Sequence, residues 1–267
     1  MHTSPSFAGL PQTLGVVDGW PINLANTEDA VSAIIGSAKC GGSFAVFTMN
    51  LDHLVKLRRS AAYREAYSKA RYLTADGEPV AWLASRQGAL IERTTGSDLI
   101  LPLAKAAAAQ GIGIYLYGTT PEVLASAGRT ISQRSGCNDL IVGATSPAQG
   151  FDPQGSDADA ALDQIAASGA SLCLVALGAP KQELLAARGV ARNIQCGFVC
   201  IGAGLDFLAG AQRRAPVFMQ QCKLEWLWRL LTDPRRLAVR YSRCALLLAQ
   251  IVLFAPIRQR LVRPAPS

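Results

Sequence analysis

The chain reads as an α/β protein, with a mostly parallel, Rossmann-like sheet flanked by helices and a C-terminal helical appendage. Three observations predict this. Short apolar runs alternate with helical patterns across roughly the first 210 residues, the signature of repeated strand–helix crossovers. Most runs end in a loop that opens directly into a helix start, and several of those loops carry a polar or acidic residue. Near Gln212 the composition changes, from a nearly neutral body to a strongly basic tail.

In order, residues 14–26 form an opening strand and turn, and Thr27 with Asp29 starts an Ala/Ile-rich helix that closes near Gly41-Gly42. Ser43 to Thr48 is β-rich and stops at Thr48-Met-Asn50. Asn50 suits the N-cap of a helix carrying Leu51, Leu54, Val55 and Leu57. Equally, Thr48 and Asn50 suit a strand's carboxyl end, beside a helix N-terminus that receives polar ligand groups. A second run ends at Ala75, and Asp76-Gly77 turns it into a helix over 78–87 with Pro79 in the first turn. Asp76 is then either that helix's N-cap or a working carboxylate at the edge where open α/β sheets bind ligands. Glu92-Arg93-Thr-Thr-Gly96 feeds an Ala/Leu-rich helix. The strand Ile112–Tyr117 turns through Gly118-Thr-Thr-Pro121 into a helix, and Leu140–Thr145 is followed by a loop through Phe151. Asp157-Ala-Asp159 has the form of a metal-holding DxD, but it opens an Ala-rich helix where acids oppose the macrodipole, so no metal site is expected. Strands at Leu172–Leu177 and Gly197–Gly202 lead into Gly178-Ala-Pro-Lys-Gln-Glu183 and Ala203-Gly-Leu-Asp206. Neither a GxGxxG nor a Walker loop is present.

The seven cysteines are scattered, with no CxxC pair, which predicts neither a zinc site nor a disulfide framework and suits a reducing cytoplasm. Residues 1–11 lack the basic and apolar regions of a secretion signal. Of 26 basic and 19 acidic residues, eleven and two fall in 212–267, leaving fifteen and seventeen before it. A body at 1–211 and an appendage at 212–267 are therefore expected. The tail suits an anionic partner, whether nucleic acid, lipid headgroups or a diphosphate. Two helices are predicted there, one over Phe218–Leu231 and one beyond Asp233-Pro234 with Arg235, Arg236, Arg240 and Arg243 ahead of the apolar stretch 245–254. That stretch is well short of the ~20 residues needed to span a bilayer. It suits a membrane interface, with Trp226 or Trp228 as anchors, or else a packed helix whose arginines face water. Arginines interleaved with Leu, Val and Ala argue against nucleic acid.

Together the loops resemble the WecG/TagA/CpsF glycosyltransferases, glycosyltransferase family 26. The matching pieces are Thr48-Met-Asn50, Ala75-Asp-Gly77, Glu92-Arg-x-x-Gly-Ser-Asp98, Gly178-Ala-Pro-Lys-Gln-Glu183, Leu205-Asp-Phe-x-Ala-Gly210 with Arg214-Ala-Pro216, and Leu224-Glu-Trp-Leu-x-Arg229 running into Asp233-Pro-Arg-Arg236. The resemblance implies a cytoplasmic enzyme, peripheral on the inner face of the plasma membrane, that needs no cofactor or metal. It would move a hexose from a UDP-sugar, with inversion, onto a polyprenyl-diphosphate-linked sugar during exopolysaccharide or cell-wall polymer synthesis. Glucose, N-acetylmannosamine and N-acetylmannosaminuronate are the candidate donors. By the same resemblance Asp76 would be the general base, and Thr48, Asn50 and Arg93 would hold the sugar and acceptor end. Gln182 would bind the transferring unit, Gly118 would be a further substrate-binding residue, Asp206 would hold the nucleoside, and Phe151 would stack on uracil. Arg229, Arg236 and Arg240 would neutralise diphosphate. Self-association, and a C-terminal appendage closing over the site and touching the membrane, are also implied. The alternative is a catalytically idle membrane-surface scaffold of a polysaccharide assembly complex.

Overall fold

The computed structural model describes residues 11–212 and the helix at 234–261, with residues 216, 218, 219, 228 and 231 between them; for Arg236 and residues 254–261 it describes the backbone alone. The predicted helix over Phe218–Leu231, with Trp226 and Arg229, therefore lies almost wholly outside the described residues.

Strands β1 (Gly15–Val17) and β2 (Trp20–Ile22) form a separate antiparallel hairpin turned by Asp18 and Gly19, both at positive φ. The main sheet contains β3 (Phe44–Met49), β4 (Ala70–Ala75), β5 (Ile114–Gly118), β6 (Ile141–Thr145), β7 (Leu172–Ala176) and β8 (Gly197–Cys200). Its order is β4-β3-β8-β7-β5-β6 and every pair is parallel. The inner strands read as unbroken apolar runs because helices cover both faces. One face buries side chains of α1 (Thr27–Lys39), α5 (Gly96–Ala109), α6 (Pro121–Ser135) and α9 (Gly204–Leu208). The other buries side chains of α2 (Leu51–Arg59), α3 (Ala61–Ser68), α4 (Glu78–Ser85), α7 (Ser156–Ala167) and α8 (Lys181–Ala191).

The order places functional loops side by side. The chain runs outward from β5 to β6 and returns past β5 to β7, so the loops leaving β5 and β7 diverge and open a crevice between them. The last strand, β8, enters between β7 and β3 and brings the loop after Cys200 between both ends of the sheet.

The C-terminal helix α10 (Pro234–Leu261) lies along α2, with Leu237, Cys244 and Leu247 buried and Arg58 Nη1 donating to Gln250 Oε1 at 2.9 Å. Val239, Leu246 and Leu253, seven residues apart, are exposed. No helix among the described residues is long and apolar enough to cross a membrane.

Candidate active site

Asp76 stands one residue beyond the end of β4, where its N–H donates to the Met49 carbonyl at 2.7 Å and holds it level with the end of β3. It is not the cap of the following helix. The N-cap is Gly77, at φ +98°, and no side chain caps there. The Asp76 carboxylate instead accepts from Asn50 Nδ2 at 3.0 Å. Asn50 also caps α2, because its Oδ1 accepts from His53 N–H at 3.0 Å. The amide is thereby oriented from one side by the helix and delivers its donor to Asp76 from the other. Thr48 is buried, level with Thr74 in the β3–β4 register. Thr74 Oγ1 donates to the Thr94 carbonyl at 2.9 Å, and Thr94 N–H donates to Ala75 O at 2.8 Å, so the segment before α5 is tied to the end of β4. Arg93 is carried into this corner, with its guanidinium 3.8 Å from Glu78 and 3.7 Å from Asp98.

A second cluster sits at the crevice. Gly118 takes φ +123° at the end of β5, and a Cβ there would lie 2.3 Å from the Ala176 carbonyl oxygen, so no side chain fits. The turn lets Thr119 Oγ1 donate to Asp206 Oδ1 at 2.9 Å, while Ser146 Oγ donates to the Thr119 carbonyl at 2.6 Å. Phe151 is only 5% exposed; its ring packs edge-on against Tyr117 at 5.8 Å and its carbonyl accepts from Lys181 Nζ at 2.8 Å. Uracil thus has no open face of Phe151 to lie on in this conformation.

Between the clusters runs a buried polar row. Gln182, 2% exposed, donates from Nε2 to Glu183 Oε1 at 2.7 Å and accepts the Gly202 N–H at 3.0 Å, joining the loops after β7 and β8. Glu183 is fully buried, 3.9 Å from His53 Nε2. His53 Nδ1 and the Tyr67 hydroxyl lie 2.6 Å apart. Burial, above all, pushes the Glu183 carboxyl up to about 7 and His53 down to about 3. The Tyr67 hydroxyl is raised well above its ordinary range by burial, then by Glu183, with Asp76 adding to it.

Asp157 and Asp159 lie in the first turn of α7, and Asp159 is engaged by Arg188 at 2.7 Å and Arg192 at 3.1 Å. Among the described residues no three His, Cys, Asp or Glu side chains converge. In the tail, Arg240 Nε approaches Asp52 Oδ1 at 3.3 Å in the first turn of α2, where Lys56 also pairs with Asp52. The side chains of Arg229 and Arg236 lie outside the described residues. Sequence reasoning missed Thr119, His53, Tyr67 and the buried state of Glu183. Thr119 was discoverable as the residue after a strand-ending glycine, and His53 as the position three after a capping Asn.

The chain is thus an α/β protein with a parallel Rossmann-like sheet, a carboxylate held at its carboxyl edge and a second polar cluster at its crevice. The chain belongs to the glycosyl transferase WecG/TagA/CpsF family, whose model matches residues 16–262. It is therefore a glycosyltransferase of cell-wall or polysaccharide synthesis, a family role that implies a sugar-nucleotide donor and a lipid-linked acceptor.

Proposed function

We propose that the protein transfers a hexose, with inversion, from a UDP-sugar to a sugar carried on polyprenyl diphosphate. Asp76 is the general base: its carboxylate takes the acceptor hydroxyl proton as the oxygen bonds to the anomeric carbon and the bond from that carbon to the UDP oxygen breaks. A base must stand on the face opposite the departing UDP. The observation that carries this reading is the 3.0 Å hydrogen bond from Asn50 to Asp76, combined with Gly77 rather than Asp76 at the N-cap. The donor's nucleoside goes to the Gly118–Thr119–Asp206 cluster, and Arg93, with Thr48 and Asn50, holds the sugar and acceptor end at the Asp76 corner. Gln182 acts by fixing the loops after β7 and β8. Guanidinium groups of the tail, Arg229, Arg236 and Arg240, absorb the diphosphate charge, a role that suits their fork of donors. Glucose is the donor we favour, because no additional cation stands out in the sequence to meet a uronate.

The test is transfer from UDP-glucose, UDP-N-acetylmannosamine and UDP-N-acetylmannosaminuronate to a short-chain polyprenyl-diphosphate glucose. Asp76→Asn should lower kcat by about 10² to 10⁴, the span of general-base catalysis, with the melting temperature kept. A chelator should leave the wild-type rate unchanged. An Asp76→Asn protein that turns over normally would instead favour the scaffold.

We further propose that α10 seats the enzyme on the inner membrane face. The exposed Val239, Leu246 and Leu253 support this, together with the eleven basic residues of the tail.

A further inference from the structure

Beside the Asp76 corner runs a groove along α4, walled by Glu78, Trp82 and Ser85 on the helix and by Ile91, Glu92 and Arg93 on the facing loop. The helix residues recur at i, i+4 and i+7, so they form one stripe about 10 Å long that starts two residues after Asp76. Trp82 is the unusual member. It is 52% exposed, although its neighbours Val80, Ala81, Leu83 and Ala84 are buried. Its ring is held by the Arg86 guanidinium, 5.1 Å from the ring centroid, so an exposed indole is kept in a defined place at the groove. Nothing in the proposed transfer chemistry requires an aromatic side chain there.

The chemistry of the groove's lining suits one kind of occupant. Among the described residues Glu78 and Glu92 line the groove together with Arg93, whose guanidinium is close to Glu78 and Asp98. A diphosphate would have to compete with Glu78 and Asp98 for that arginine. A neutral, hydroxyl-rich ring suits the same groove: carboxylates accept its hydroxyl protons, the guanidinium donates to its oxygens, and its C–H face lies against the indole.

We propose that this groove is the acceptor-sugar subsite, with Trp82 as its platform and Glu78 and Arg93 as its hydrogen-bonding walls. The saccharide of the lipid-linked acceptor lies along α4, presents its reacting hydroxyl at Asp76, and leaves its diphosphate outside the groove. The inference rests on Asp76 as the acceptor's base only for the direction in which the sugar points.

The test compares wild type, Trp82→Ala and Trp82→Phe for binding and turnover, using short-chain polyprenyl-diphosphate glucose and sugar-free short-chain polyprenyl diphosphate as probes. Trp82→Ala should weaken binding of the glucose-bearing probe and raise its KM about tenfold, the worth of one good aromatic contact. Donor KM and binding of the sugar-free probe should not change, and Trp82→Phe should recover most of the loss. Equal weakening of both probes would overturn the inference, because the groove would then hold lipid or diphosphate. So would unchanged binding of the glucose-bearing probe. Binding measured in Asp76→Asn separates the two ideas. If that variant still turns over while Trp82→Ala still loses only the glucose-bearing probe, the base assignment fails and the subsite stands.

Discussion

Asn50 shows how one side chain can serve stability and chemistry through different atoms. Its carbonyl oxygen caps α2 and its amide nitrogen holds Asp76. Asn50→Ser keeps a capping oxygen and removes the donor, so stability should fall by under about 1 kcal/mol while kcat drops sharply; Asn50→Ala should lose both. Parallel chemical denaturation and turnover assays would separate these effects. The buried pair His53 and Glu183 makes a second prediction, with opposite signs. Folded His53 stays neutral down to about 3 while the unfolded residue gains its proton near 6.5, so its contribution to stability rises with pH across that window. Folded Glu183 keeps its proton up to about 7 while the unfolded residue loses it near 4.5, so its contribution falls as pH rises from 4.5 to 7. Between about 4.5 and 6.5 the two slopes oppose each other. Melting temperatures from pH 4 to 8 should show only the rising limb in Glu183→Gln and only the falling limb in His53→Gln, and identical profiles would contradict the assignment.

At the level of elements, the loop residues were more legible than their surroundings. An acid after an apolar run and before a Pro-marked helix can be read from adjacent positions, so Asp76 and the turn at Gly77 were foreseen. The break between α2 and α3 was not, because it depends on Ser60 capping a new helix by accepting from Tyr63 N–H at 3.2 Å inside a stretch without Gly or Pro. The hairpin β1–β2 was read as an opening strand and turn, and only tertiary packing sets it apart from the main sheet. The exposed stripe on α10 is likewise a matter of which face α2 covers. Replacing Val239, Leu246 and Leu253 together by Ser should abolish sedimentation with phosphatidylglycerol vesicles and leave the melting temperature within a few degrees, since all three are exposed. Retained vesicle binding would place the membrane contact elsewhere.

For the molecule as a whole, parallel α/β architecture followed from the alternation of runs, yet strand order did not. Apolar runs such as Leu172–Ala176 and Phe44–Met49 carry no label naming their neighbours. For that reason the burial of Glu183 and the hook between Gln182 and Gly202 were invisible beforehand: both arise because β8 sits between β7 and β3. The same insertion has a consequence for biosynthesis. The pair β3–β4 and the trio β7-β5-β6 share no ladder until Gly197–Cys200 arrives to bridge them. A nascent polypeptide emerging from the ribosome therefore holds two unjoined half-sheets with open edges from the completion of β7 at Ala176 until β8 follows, and the two loop clusters meet only when nearly three-quarters of the chain has been made.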